Sequence, residues 1–199
     1  MKALWLGIFF ITLAWSAINP HDYLTWALEV LPAAIGFVLL ACTYKKFPLT
    51  PLLYWLILAH CVVLIVGGHY TYAEVPLFDY LKPVFGWERN NYDKLGHFMQ
   101  GFVPAILARE ILIRHAVVAS NAWRNLFIVS ICLAFSAFYE MIEWGVALAS
   151  GASSEAFLGT QGYIWDTQSD MGMALIGAIA ALLALGSCHD RQLVQLLPH

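Results

Sequence analysis

Asp93-Lys94-Leu95-Gly96-His97-Phe98 opens an otherwise apolar run that continues to Ile113. An acid, a base and an imidazole at the mouth of such a run are costly at a membrane boundary, so their partners must be sought elsewhere in the chain. Asp93 and His97 are four residues apart and share one helix face. Two later segments supply candidate partners: Tyr139-Glu140-Met141-Ile142-Glu143-Trp144 and Asp166-Thr167-Gln168-Ser169-Asp170.

The rest of the chain places this run in a membrane. Of 199 residues, 61% are hydrophobic and only 12% charged, about half the charged share of a soluble domain. With a mean hydropathy of +0.70, the expectation is an all-α integral membrane protein, one multi-pass domain over residues 1–199. A spanning helix needs about 20 mostly apolar residues. Six segments qualify as a bundle of transmembrane helices: Ala3 to Ile18, Leu24 to Thr43, Leu52 to Gly68, Asp93 to Ile113, Asn125 to Ala149, and Gln168 to Ser187. Lys2 and the apolar run after it read as an uncleaved first helix rather than a secretory signal. Turn residues mark the breaks at Asn19-Pro20, at Pro48 and Pro51, and at Gly151. The outer connection at about 69–92 is too long for a simple turn and predicts a folded cap or an interfacial helix. A net charge of -3 offers no basic surface for nucleic acid. Cys42, Cys61, Cys132 and Cys188 lack metal-ligand spacing and read as small apolar fillers.

Orientation follows from the basic residues. With both termini cytoplasmic, Lys2, Lys45, Lys46, Arg109, Arg114, Arg124 and Arg191 fall inside, against Lys82, Arg89 and Lys94 outside. Most acids, Glu155 among them, fall on the outer half, which therefore looks like the chemical side. Glu140 lies about 22 Å along the fifth span at 1.5 Å per residue, level with Asp93 and His97 and with Asp166 and Asp170 on the sixth. Glu29 lies in the outer half of the second span, and His69 and Glu74 follow the third.

Carboxylates one helical turn apart in low dielectric need a proton or a cation between them. No lysine or arginine is expected beside Glu140, Glu143, Asp166 and Asp170 within their own spans. A divalent metal fits that pattern, with His97, Asp93, Glu140, Glu143, Asp166 and Asp170 as candidate ligands. One imidazole with carboxylates suits zinc, manganese or iron, and an all-oxygen subset suits magnesium or calcium. Such a metal activates water, and Glu140, Glu143 and His97 are the candidate catalytic groups, with His69, Glu74 and Glu29 secondary. Plainer readings stand beside these. Asp93 and Asp166 suit helix caps, Lys94 a snorkelling anchor, His97 an interhelical hydrogen bond, Glu29 a lone protonated acid, and His69 and Glu74 a solvated loop. Trp87, Tyr92, Trp144, Tyr163 and Trp165 suit an aromatic belt. Ala174, Gly177, Ala178 and Ala181 suit close helix packing.

Gly68-His69-Tyr70-Thr71-Tyr72, Asp93-Lys94-Leu95-Gly96-His97-Phe98, Tyr139-Glu140-Met141-Ile142-Glu143-Trp144 and Trp165-Asp166-Thr167-Gln168-Ser169-Asp170-Met171 together resemble the YjdF-type family of bacterial inner membrane proteins. That resemblance implies a multi-pass inner membrane protein and brings no assigned activity. A looser similarity, to VanZ-like membrane proteins, rests on Asp93, Lys94, His97 and Phe98. This chain departs at Glu143, where those proteins tend to carry glutamine, and at Asp170, near an expected asparagine. The functional expectation is a metal-assisted hydrolase or transferase acting at the outer face on a lipid or envelope precursor. A proton-coupled transporter and an assembly scaffold are the alternatives.

Overall fold

The computed structural model describes residues 2–150 and 161–196. Gly151 and Glu155 lie outside the described residues. Among those described, seven α-helices follow in order: α1 Lys2–Ser16, α2 Tyr23–Thr43, α3 Pro51–Tyr70, α4 Pro76–Phe85, α5 Tyr92–Arg114, α6 Asn121–Ser150 and α7 Asp166–Leu193. A 3-10 turn, Tyr72–Glu74, lies between α3 and α4. Four helices, α2, α3, α6 and α7, are long and apolar enough to cross a membrane, and α1 is a shorter apolar helix.

The helix starts follow from local chemistry. The Asp22 carboxylate accepts from the Thr25 N–H at 2.7 Å and caps α2, while Thr50 caps α3 with Pro51 in its first turn. That backbone hydrogen bond holds the exposed Asp22 carboxyl below the usual aspartate range. The stabilisation is therefore complete above the ordinary aspartate pKa and is lost as pH falls through the lower, folded-state value. Asp22→Ala should cost about 1 kcal/mol at neutral pH and nothing once the native carboxyl is protonated. Thermal unfolding in detergent across pH 2 to 7 checks both, and a pH-independent difference would contradict the cap.

The 69–92 connection is largely helical. Pro76 opens α4 and Gly86, at φ 66°, closes it in the left-handed conformation. None of its residues is buried. Leu77, Tyr80 and Val84 stand exposed along one face, while Asp79 pairs with Lys82 at 2.8 Å. An amphipathic helix with an uncovered apolar stripe suits the bilayer interface. Tyr92, expected in the aromatic belt, is instead buried against Tyr72 and Phe78. Its hydroxyl donates to the Val63 carbonyl.

Helix α5 is central, packed on α3, α6 and α7. It carries Asp93, Lys94, Arg109, Glu110 and Arg114, a load tolerable because its neighbours shield it from lipid. Its contact with α7 is backbone to backbone. A Cβ on Gly101 would stand 1.8 Å from the Ala174 carbonyl oxygen, and one on Gly177 would stand 2.1 Å from that of Phe98. Ala174, Ala178 and Ala181 complete the buried small-residue face of α7. Val103, Ala105 and Ile106 of α5 join Leu53, Ile128, Cys132, Ala178 and Ala181 in an apolar layer.

Below that layer lies a buried polar network that the sequence reading did not anticipate. Glu110 accepts from the Thr50 hydroxyl at 2.8 Å and pairs with Arg114 and His189, each at 3.0 Å. Arg109 meets His189 Nδ1 at 2.9 Å and Asp190 at 2.7 Å. A guanidinium only donates, so Nδ1 accepts and Nε2 carries the proton shared with Glu110. The signal was present in sequence as Arg109-Glu110 and His189-Asp190 near the same ends of two helices.

Candidate metal centre

Three helices bring their polar pairs together at the head of α5. Asp93 and His97, one turn apart, are both buried, with Asp93 Oδ1 3.4 Å from His97 Nε2. Asp170 approaches from α7, its Oδ2 4.0 Å from the same nitrogen. One donor atom each from Asp93, His97 and Asp170 can be chosen so that all lie within 4.8 Å of one another. From α6, Glu140 Oε1 reaches to 3.7 Å from His97 Nδ1. That buried oxygen has no hydrogen-bond partner among the described residues. Glu143 is half-buried one turn further on, within electrostatic range of Glu140, His97 and Asp93.

The imidazole is held on its other side. His97 Nδ1 lies 3.1 Å from Gln100 Oε1 on the next turn of α5. If Nδ1 donates to that amide oxygen, Nε2 is the open ligand position, and a hydrogen bond of this kind to the other ring nitrogen orients a metal-binding histidine. Nε2 then faces two carboxylate oxygens, which requires a proton on the nitrogen or a cation between them.

Two cations stand in the cluster, and both come from outside the spans that carry Glu140, Glu143, Asp166 and Asp170. Lys94 Nζ lies 2.6 Å from Asp170 and 3.1 Å from Asp166 and donates to the Ser169 hydroxyl. Arg89 pairs with Asp166 at 2.5 Å and with Asp93 at 3.7 Å. Lys94 is therefore no snorkelling anchor. It sits about 100° around the helix from Asp93, and that direction points at α7. Both cations also lie 5.4 Å from the Tyr163 ring centroid, a cation–π distance.

Glu29 is buried at the same depth, within electrostatic range of Asp93 and His97 and beside the Tyr72 side chain. Tyr72 reaches it because its ring sits between two glycines. A Cβ on Gly67 would fall 2.4 Å from the ring and one on Gly96 2.8 Å from it. His69 and Glu74 do not join the cluster. Helix α3 ends at Tyr70, and Thr71, at φ 58°, turns the chain so that Tyr72 points inward. His69 Nδ1 instead meets the Ser16 carbonyl at 3.0 Å, and exposed Glu74 pairs with His21 at 3.3 Å.

Charge bookkeeping bears on the cluster. Six carboxylates, of Glu29, Asp93, Glu140, Glu143, Asp166 and Asp170, meet two permanent cations, Arg89 and Lys94, and one imidazole. Protons or a further cation must make up the difference. The donor set of one imidazole nitrogen and two carboxylate oxygens suits zinc, manganese or iron, and Glu140 Oε1 stands outside that group, on the Nδ1 side of the imidazole.

Comparison with known proteins agrees with the membrane character of the chain. It is 50% identical to the inner membrane protein YjdF of Escherichia coli strain K12 over 183 residues, 92% of this chain and 88% of that protein. No solved structure matches it. A family model described as a predicted membrane protein, DUF2238, matches residues 1–191, and the chain belongs to that family.

Proposed function

We propose that the cluster at the head of α5 is a divalent-metal site of a hydrolase or transferase acting on a lipid or envelope precursor at the outer face of the inner membrane. The observation that carries this reading is the buried Asp93, His97 and Asp170 group, whose donor atoms fit within 4.8 Å. In this reading α1 and α5 cross the membrane together with the four long apolar helices, both ends are cytoplasmic, and the group faces outside. The inner-membrane placement is supported by the Escherichia coli relative's name.

A metal held by Asp93, His97 and Asp170 would supply Lewis acidity for a bound water or phosphoryl oxygen. The surrounding residues have roles of their own. Glu140 Oε1, free of other partners among the described residues, is the base that takes a proton from water, with Glu143 as its reserve. Lys94 and Arg89 balance negative charge on the substrate. Exposed Trp144, Ile164 and Trp165 and the apolar stripe of α4 hold the site at headgroup depth.

The transporter alternative finds little support. The apolar layer of Val103, Ile106, Ile128 and Ala178 separates this cluster from the Glu110 network, with His97 and Arg109 about 18 Å apart along α5. Purified protein in vesicles of bacterial polar lipid, supplied with manganese or zinc, should hydrolyse a phosphoester or acyl ester of the lipid, water giving an alcohol with a phosphate or a fatty acid. Glu140→Gln should slow this by at least about 100-fold. Full activity in Glu140→Gln, or no turnover by the metal-loaded wild type, would overturn the reading.

A further inference from the structure

The opposite end of the molecule holds a cavity that the cluster does not use. It lies between α1, α2 and α3, has a volume of about 370 Å³, and is walled chiefly by Trp5, Leu6, Phe37, Leu40 and Tyr54. That size falls within the range of small-molecule sites. Trp5 stacks on Phe9 at 5.6 Å and Phe37 on Phe9 at 4.9 Å between ring centroids, which stiffens the wall. The Trp5 indole N–H donates to the Tyr54 carbonyl at 2.8 Å, so its polar group is already satisfied. An apolar space gives water too few partners, and Leu6, 41% exposed, with exposed Ala41, places its rim on the lipid-facing surface.

The mouth has the opposite character. Lys2 lines the cavity beside Tyr44, its ammonium 4.3 Å from the Tyr44 ring centroid. Exposed Lys45 and Lys46 follow directly in the chain. Asp and Glu are absent from the cavity lining and from residues 2–28 apart from Asp22, which caps the far end of α2. An apolar slot ending in three lysines matches one molecule of the surrounding solvent: a hydrocarbon chain joined to an anionic headgroup.

We infer that this cavity binds an anionic phospholipid of the leaflet on the Lys2 side. One acyl chain lies along Trp5, Phe37 and Leu40, and the headgroup phosphate rests on Lys2 with Lys45 and Lys46 near it. Each lysine near a membrane surface is worth about five-fold in attraction for anionic lipid, so the preference for charge rests on the mouth and retention of any lipid rests on the slot.

Native mass spectrometry of the full chain, released from micelles holding equal phosphatidylglycerol and phosphatidylcholine, tests both parts. Wild type should retain phosphatidylglycerol over phosphatidylcholine by about five-fold or more. Lys2→Gln, an exposed change that leaves the fold alone, should bring that ratio down at least about three-fold. Ala41→Trp, placed to fill the slot, should lose both lipids while keeping its helical circular dichroism. Lys82→Gln, on the interfacial helix α4, should keep the wild-type ratio. Equal retention by the wild type, an unchanged ratio in Lys2→Gln, or the same fall in Lys82→Gln would overturn the assignment.

Discussion

Replacing Gly101 by alanine is expected to destabilise the folded chain by about 3 kcal/mol and to pull the candidate metal centre apart. The added Cβ would stand 1.8 Å from the Ala174 carbonyl oxygen. Backbone cannot rotate aside as a side chain can, so α5 and α7 must separate. Overpacking costs about 1–3 kcal/mol where side chains give way, and this contact belongs at the top of that range. The same separation would stretch the 2.6 Å pair of Lys94 with Asp170. Gly177→Ala should act alike, its Cβ falling 2.1 Å from the Phe98 carbonyl oxygen. Gly172, also on α7, has nothing within 4 Å of a built Cβ. Alanine there should stabilise by up to about 1 kcal/mol through helix propensity. Thermal unfolding of the three variants in detergent should therefore move in opposite directions. Equal shifts for Gly101→Ala and Gly172→Ala would contradict the packing account.

Glu110→Ala should be the most damaging single change at the other end, with a loss of about 3–5 kcal/mol. Glu110 and His189 are fully buried, and the carboxylate holds Thr50, Arg114 and His189 at once. Truncation leaves an imidazole N–H and a hydroxyl without an acceptor, and Arg114 with its Pro48 carbonyl bond alone. Glu110→Gln keeps an acceptor oxygen for Thr50 but weakens the charge-assisted bonds, so it should lose about half as much. Because Thr50 caps α3, hydrogen exchange should rise first in the opening turn of that helix. An exchange pattern unchanged there, or a loss under about 1 kcal/mol, would mean that the network does not hold α3, α5 and α7 together.

How far the chain could be read in advance depended on which physical constraint acted. Apolar runs are set by local composition, so the spans at 24–43, 52–68 and 93–113 emerged within two residues of α2, α3 and α5, while α7 runs on past 187 to Leu193. The meeting of Asp93 and His97 with Glu140 and Asp170 followed from helix spacing and alternation alone. Lys94 was misread because its direction depends on where α7 packs, and that packing is decided by Gly101 and Gly177 far down the helices. Arg89 was passed over for a similar reason, since it lies before the helix and reaches Asp166 only through the fold. The Glu110 network was hidden by treating Arg109 and Arg114 solely as orientation signals. Tyr72 came to lie beside Glu29 through the positive φ of 58° at Thr71, a backbone state that a non-glycine residue rarely announces.

The most direct test of the central claim is the divalent-metal content of the purified protein by elemental mass spectrometry, after equilibration with manganese or zinc and removal of free ion. Wild type should hold about one ion per chain, Glu74→Gln should hold the same, and His97→Gln and Asp170→Asn should each lower affinity by at least about 100-fold. A wild-type content near zero with both metals, or full occupancy retained in His97→Gln and Asp170→Asn, would contradict the account.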